Sequence, residues 1–202
     1  MFQLNRKTFT MGAILMVAIF YWKNRPVPVA DGILIPEDPI QENIVEGQGK
    51  PVKIPAGVAE PLAHYKIRAR VLSTNRYYFD PGAGISPIDL ALGWGPMSDS
   101  RILKELRIGQ SLRYYHVKWT QSAPISDSEI MRHSANVHII PADDIVKEVL
   151  FSLREGHLIE LKGELVVVST KDGGEWRSSM SRDDRGGGAC ELMRVTSIRV
   201  LN

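Results

Sequence analysis

The sequence predicts a mainly β fold with short helices (α+β), folded as a small, strongly bent antiparallel sheet or barrel. Three observations carry this. Period-two alternation recurs in short runs, over residues 64–73, 111–120, 133–141, 157–169 and 192–201. Only short amphipathic stretches separate these runs, without the regular strand and helix alternation of a parallel sheet. The 202-residue chain has room for one domain with a proper core, and too little for two large ones.

The first run, HYKIRARVLS, sets Tyr65, Ile67, Ala69 and Val71 on one face and Lys66, Arg68 and Arg70 on the other, a half-buried strand. SDSRILKELRIG follows with Ser98 or Asp99 as N-cap, apolar Ile102, Leu103 and Leu106 at helical spacing, and Gly109 as a stop. SLRYYHVKWT reads as a second strand. SDSE then supplies a capping box between Ser126 and Glu129. A third helix is expected over residues 142–154, with Ile145, Val146, Val149, Leu150 and Leu153 as its stripe and Gly156 as terminator. HLIELKGELVVVS, EWRSSMS and LMRVTSIRVL complete the strands, and Gly163 marks a bulge or sharp bend. Closure as an oligonucleotide/oligosaccharide-binding type barrel is one way to finish such a sheet, by analogy of fold.

Ahead of this part, Arg6 and Lys7 precede a charge-free run over residues 9–22, and Lys23 and Arg25 follow it. Residues 1–25 are therefore expected to form a membrane anchor or signal segment, with Tyr21 and Trp22 as interfacial aromatics and an uncleaved anchor preferred. In a bacterium, a short inward N-terminal tail would give a single-pass inner-membrane protein with residues 23–202 in the periplasm. Residues 26–63 hold seven of the chain's twelve prolines and read as an extended spacer. Residues 64–202 form the globular domain.

Twenty-five Lys and Arg against 23 Asp and Glu leave a formal charge of +2, with no basic run over the body of the chain. That balance argues against a nucleic-acid partner. A single cysteine, Cys190, excludes an internal disulfide. His64, His116, His133, His138 and His157 are dispersed, with no metal-ligand spacing, so neither a metal nor a cofactor is expected.

Two groups of residues stand out as candidate sites. HSANVHIIP places Ser134, Asn136 and His138 on one face of a strand, as a solvent-facing row or the lining of a site. The stretch GGEWRSSMSRDDRGGGACEL gathers Trp176, Arg177, Arg182, Arg185 and Cys190. Trp176 and these arginines, with Trp94 anchoring the packed loop SPIDLALGWGPMSDS, are the residue types enriched at binding hot spots. The leading expectation is thus a membrane-tethered binding or assembly module that contacts a protein or a cell-envelope component. The alternative is a thiol-dependent hydrolase or transpeptidase. There Cys190 is the nucleophile, His138 its base, and Asn136 or Arg194 the orienting or oxyanion-stabilising group. On the first reading Cys190 is a buried residue out of contact with His138.

The order His138, Cys190, Arg194 behind an N-terminal anchor resembles membrane-anchored transpeptidases of the sortase type, without their threonine-containing signature. RYYFD, SPIDLALGWGPMSDS, HSANVHIIPA and RSSMSRDD with GGGACEL resemble a family of uncharacterised, membrane-anchored bacterial proteins, over residues 65–200. That resemblance implies no activity.

Overall fold

The computed structural model describes residues 6–120, 122–181 and 189–202. Arg182 and Arg185, two of the expected binding residues, lie outside the described residues. In chain order the elements are α1 (Arg6–Asn24), β1 (Ile40–Asn43), β2 (Val52–Ile54), β3 (Gly57–Arg76), β4 (Ile88–Gly93), α2 (Ser100–Leu103), β5 (Leu106–Ser111), β6 (Tyr114–Trp119), α3 (Asp127–Arg132), β7 (Ser134–Pro141), α4 (Asp144–Ser152), β8 (Leu158–Thr170), β9 (Glu175–Arg177) and β10 (Glu191–Val200).

Five strands are linked in a ring, β3 to β4, β4 to β7, β7 to β10, β10 to β8 and β8 back to β3. Four of these ladders are antiparallel, and β7 with β10 is parallel. A wholly antiparallel sheet is therefore corrected to a mixed one, and the reason is parity. Strand direction cannot alternate all the way round an odd-numbered ring, so at least one neighbouring pair must run the same way.

The mainly β fold with short helices is as expected, and of its two expected forms, a strongly bent sheet or a barrel, the bent sheet is found. β3 pairs β8 over residues 57–70 and β4 over residues 70–76, so the two ladders share only Arg70. The edge of β3 that carries β4 at one end carries β1 and β2 at the other. The result is a strongly curled sheet with a ring of hydrogen-bonded ladders, not a true barrel.

The main core fills the inside of the curl. Alternation on β3 buries Tyr65, Ile67, Ala69 and Val71 as expected, against Leu90 of β4, Val137 of β7, Leu161 of β8 and Val195 of β10. α4 closes it with Val146, Leu150 and the following Leu153. Asp143, whose carboxylate accepts from the Val146 amide at 2.8 Å, starts this helix. Ile145 falls off the stripe and is exposed. In α3 the expected cap is present, with Ser126 Oγ accepting from the Glu129 amide.

The helix expected before residue 109 stops early. α2 covers four residues behind its Asp99 cap, and the chain then turns into β5. β5 and β6 form a separate hairpin across a two-residue turn in which Leu112 and Arg113 adopt φ of 49° and 69°. Cross-strand pairing overrides the helical pattern of that segment.

The proline-rich stretch is laid along the domain, not held away from it. Ile35 joins the main core, and β1 and β2 pair with β3. Ser98 Oγ accepts from the Leu34 and Ile35 amides, and Asp99 from the Gly32 amide at 2.9 Å. The Arg101 guanidinium beside Asp99 holds that carboxyl well below the usual carboxylate range.

The N-terminal apolar run does form a helix, α1. Among the described residues, however, no helix is long and apolar enough to cross a membrane. Fourteen charge-free residues at 1.5 Å each extend about 21 Å, against a hydrocarbon thickness of about 30 Å. This finding corrects the expectation of a transmembrane signal-anchor, and the inner-membrane and periplasmic placement that rested on it.

Candidate functional site

The polar row of β7 is not a solvent face. Ser134, Asn136 and His138 are 7%, 3% and 4% exposed. They point to the outer side of the curl, and the β5–β6 hairpin covers them there. Leu72, Ala91, Met97, Leu106 and Ile130, with Ile108, Tyr115 and Val117, form a second apolar cluster beneath this cover.

Ser134 and Asn136 hold the cover down, while His138 faces Asp89 and Trp176. Ser134 Oγ donates to the Ile130 carbonyl at 2.5 Å, which leaves the Tyr115 hydroxyl to donate to Ser134, also at 2.5 Å. Burial pushes the Tyr115 hydroxyl up in pKa. Asn136 Oδ1 accepts from Gln110 Nε2 at 2.7 Å, and its Nδ2 donates to the Arg113 carbonyl at 3.0 Å. The same Nδ2 faces Cys190 Sγ at 3.7 Å. His138 Nδ1 lies 2.9 Å from Asp89 Oδ1, directly across the β4–β7 ladder, but out of line for a hydrogen bond. The imidazole also packs on Trp176, with ring centroids 4.9 Å apart.

Beyond His138 the hairpin tip delivers Arg113 into a charged cluster. Its guanidinium donates to both oxygens of Asp80, at 2.7 and 2.9 Å, to Asp89 Oδ1 at 3.2 Å and to the Ser86 carbonyl at 2.9 Å. It lies 3.8 Å from the Tyr77 ring centroid and 5.4 Å from that of Trp176. Asp89 is fully buried. Burial, reinforced by the nearby Asp89 carboxylate, pushes the Tyr77 hydroxyl up to about 12. Sequence reasoning missed Arg113, because nothing local distinguishes it from the next residue of an alternating strand.

Alongside β6 lies a cleft of about 400 Å3 between the hairpin, α3 and the start of β10. Tyr114, Tyr115 and Trp119 line one side, Ile130 and Met131 the second, and Asn136, Cys190 and Glu191 the third, with Trp94 also contributing. Tyr114 and Trp119 remain 52% and 39% exposed at its rim.

The structure brings together only some of the expected site residues. Asn136 and Cys190 meet at the cleft, where Cys190 is half-buried and not fully enclosed. His138 is turned to Asp89 and Trp176. Arg194 pairs with Glu164 at 3.1 Å, four residues along β10 from Cys190, or about 13 Å at the rise of a strand. Trp94 is buried and donates its indole N–H to Asp38 at 2.9 Å. Trp176 is half-buried against the Arg113 cluster, and Arg177 sits exposed on β9 opposite Val167. Among the described residues no group of three His, Cys, Asp or Glu side chains is placed to hold a metal.

No protein-family model, no curated protein and no solved structure matches the chain.

Proposed function

We propose that the chain is a binding module, and that the cleft beside the hairpin receives an apolar or aromatic part of a protein partner. The observation that carries this reading is the aromatic lining itself. Tyr114 and Trp119 stay exposed at the rim of an open cleft whose volume is in the range typical of ligand sites. Large aromatic side chains beside a desolvated pocket are the usual anchors of recognition. Strand order adds support. In the five-strand ring the first strand pairs with the second and fourth and the third runs parallel to the fifth, the Greek-key arrangement of oligonucleotide/oligosaccharide-binding folds. Such folds use the face of their second and third strands; here the hairpin covers that face, and of β4 and β7 only Ser134, Ala135 and Asn136 at the start of β7 line the cleft. From the unusual stretch identified in the sequence, the described residues Ser181, Ala189, Cys190 and Glu191 border the cleft.

The test uses N-acetyl-leucinamide and N-acetyl-phenylalaninamide as probes in an NMR titration of the full chain. Saturable shifts are expected at the Trp119 indole and the Met131 methyl. Trp119→Ala should weaken binding at least about tenfold, or ~1.4 kcal/mol, with the fold retained. Absence of any saturable shift at the cleft, up to the probes' solubility, would sink the proposal.

A further inference from the structure

The wall formed by β6 has a property that a simple pocket does not need. Residues of both parities line the cleft, Tyr114 from one face of the strand and Tyr115, Val117 and Trp119 from the other. A cavity lying under one face of a strand meets alternate residues only. The cleft therefore runs along the edge of β6.

That edge has main-chain groups to offer. Ser111 and Tyr114 flank a two-residue turn, so they form a hydrogen-bonded pair. By alternation Tyr114, His116 and Lys118 direct their backbone groups toward β5. Tyr115, Val117 and Trp119 direct theirs outward. Among the described residues β6 pairs with β5 alone, and no turn or loop bond reaches the amides of Tyr115, Val117 or Trp119. The inner side chains of this edge, Tyr115 and Val117, belong to the apolar cluster that the cleft opens onto.

The outer face of the hairpin is of opposite character. Arg107 and Lys118 stand directly across the ladder from one another, with His116 on the same face. Like charges so placed repel, and neither Arg107 nor Lys118 has a carboxylate within ion-pair distance among the described residues. A second copy of the chain pairing edge to edge would bring more of the same charge, so self-addition is disfavoured.

We infer that an extended, acidic and apolar peptide segment adds to the hairpin as a third strand along β6. Its main chain pairs with Tyr115, Val117 and Trp119. Its apolar side chains enter the cleft beside Ile130 and Met131, and its alternate carboxylates lie next to Lys118, on the face that also carries Arg107 one strand further away. This rests on the proposed binding function and specifies its partner: affinity from the backbone, selectivity from alternation and charge.

The probes are acetylated, amidated heptapeptides alternating valine with glutamate, the same sequence with lysine for glutamate, and the glutamate peptide N-methylated at the positions that would pair. On binding the glutamate peptide, hydrogen exchange at the Tyr115 and Val117 amides should slow at least about tenfold. The lysine and N-methylated peptides should each bind at least about tenfold more weakly. Lys118→Glu combined with Arg107→Glu, both on the outer face of the hairpin, should reverse the preference for glutamate over lysine. Equal binding of the N-methylated peptide, or binding without slowed exchange, would overturn the inference. So would a dimer of the chain alone with Tyr115 and Val117 protected, which would assign the edge to a second copy. If the acetylated amides saturate the cleft and no peptide does, strand addition fails and the binding site stands. If nothing occupies the cleft, both fail.

Discussion

The N-terminal helix and the polar row of β7 invert each other. α1 presents Met11, Ile14, Leu15, Met16, Val17, Tyr21 and Trp22 to the outside. β7 encloses a serine, an asparagine and a histidine almost completely. Side-chain polarity alone would exchange the two. What separates them is partnership. Ser134 and Asn136 find hydrogen bonds on the hairpin that covers them, so taking them out of water is compensated. Among the described side chains of α1, the seven apolar ones just named have no such cover.

This contrast is open to measurement, and the largest effect is expected where charge is buried. Arg113→Met leaves Asp89 enclosed without its guanidinium partner, and should lower the free energy of unfolding in urea by about 3–5 kcal/mol. A loss under about 1 kcal/mol would mean that the cluster is hydrated, and that the two regions differ less than their burial implies. Asn136→Ala should have an intermediate effect. It strands the Gln110 amide and the Arg113 carbonyl, with about 1–3 kcal/mol lost and faster hydrogen exchange across β5 and β6. If stability falls while exchange in the hairpin stays unchanged, the row supports the sheet and not its cover. The smallest effect belongs to α1, where Ile14→Ser together with Val17→Ser should change stability by less than about 0.5 kcal/mol. A larger loss would show that the helix packs on the domain, and would erase the comparison.

Much of the scaffold was legible because it depends on neighbours in sequence. The alternation of residues 64–73 and the Ser126 cap are local patterns, and both appear as read. The face shared by Ser134, Asn136 and His138 was equally plain, since parity along a strand needs no outside information. Whether that face was wet or covered could not be read. The cover comes from a hairpin whose turn, Leu112 and Arg113, lacks the Asn or Gly that normally marks a left-handed pair. The same missing signal let residues 98–109 read as one helix. The Arg113 cluster was hidden for a related reason: its carboxylates lie 24 and 33 residues away, on β4 and on the loop before it. The cleft inherits this, since its walls come from parts of the chain as far apart as Trp94 and Glu191.

The odd-numbered ring also sets an order of events. Of the five strands of the ring β10 is the last in chain order, yet it occupies the place between β7 and β8. Until it arrives, those two strands each keep an open edge over the stretch that β10 will fill. The hairpin, by contrast, is complete by residue 119 and depends only on neighbours. The residues of the cover are therefore synthesised before the strand that closes the sheet beneath it. The segment that must be kept from pairing wrongly is then the interior of the ring, where unpaired strand edges template association with other chains.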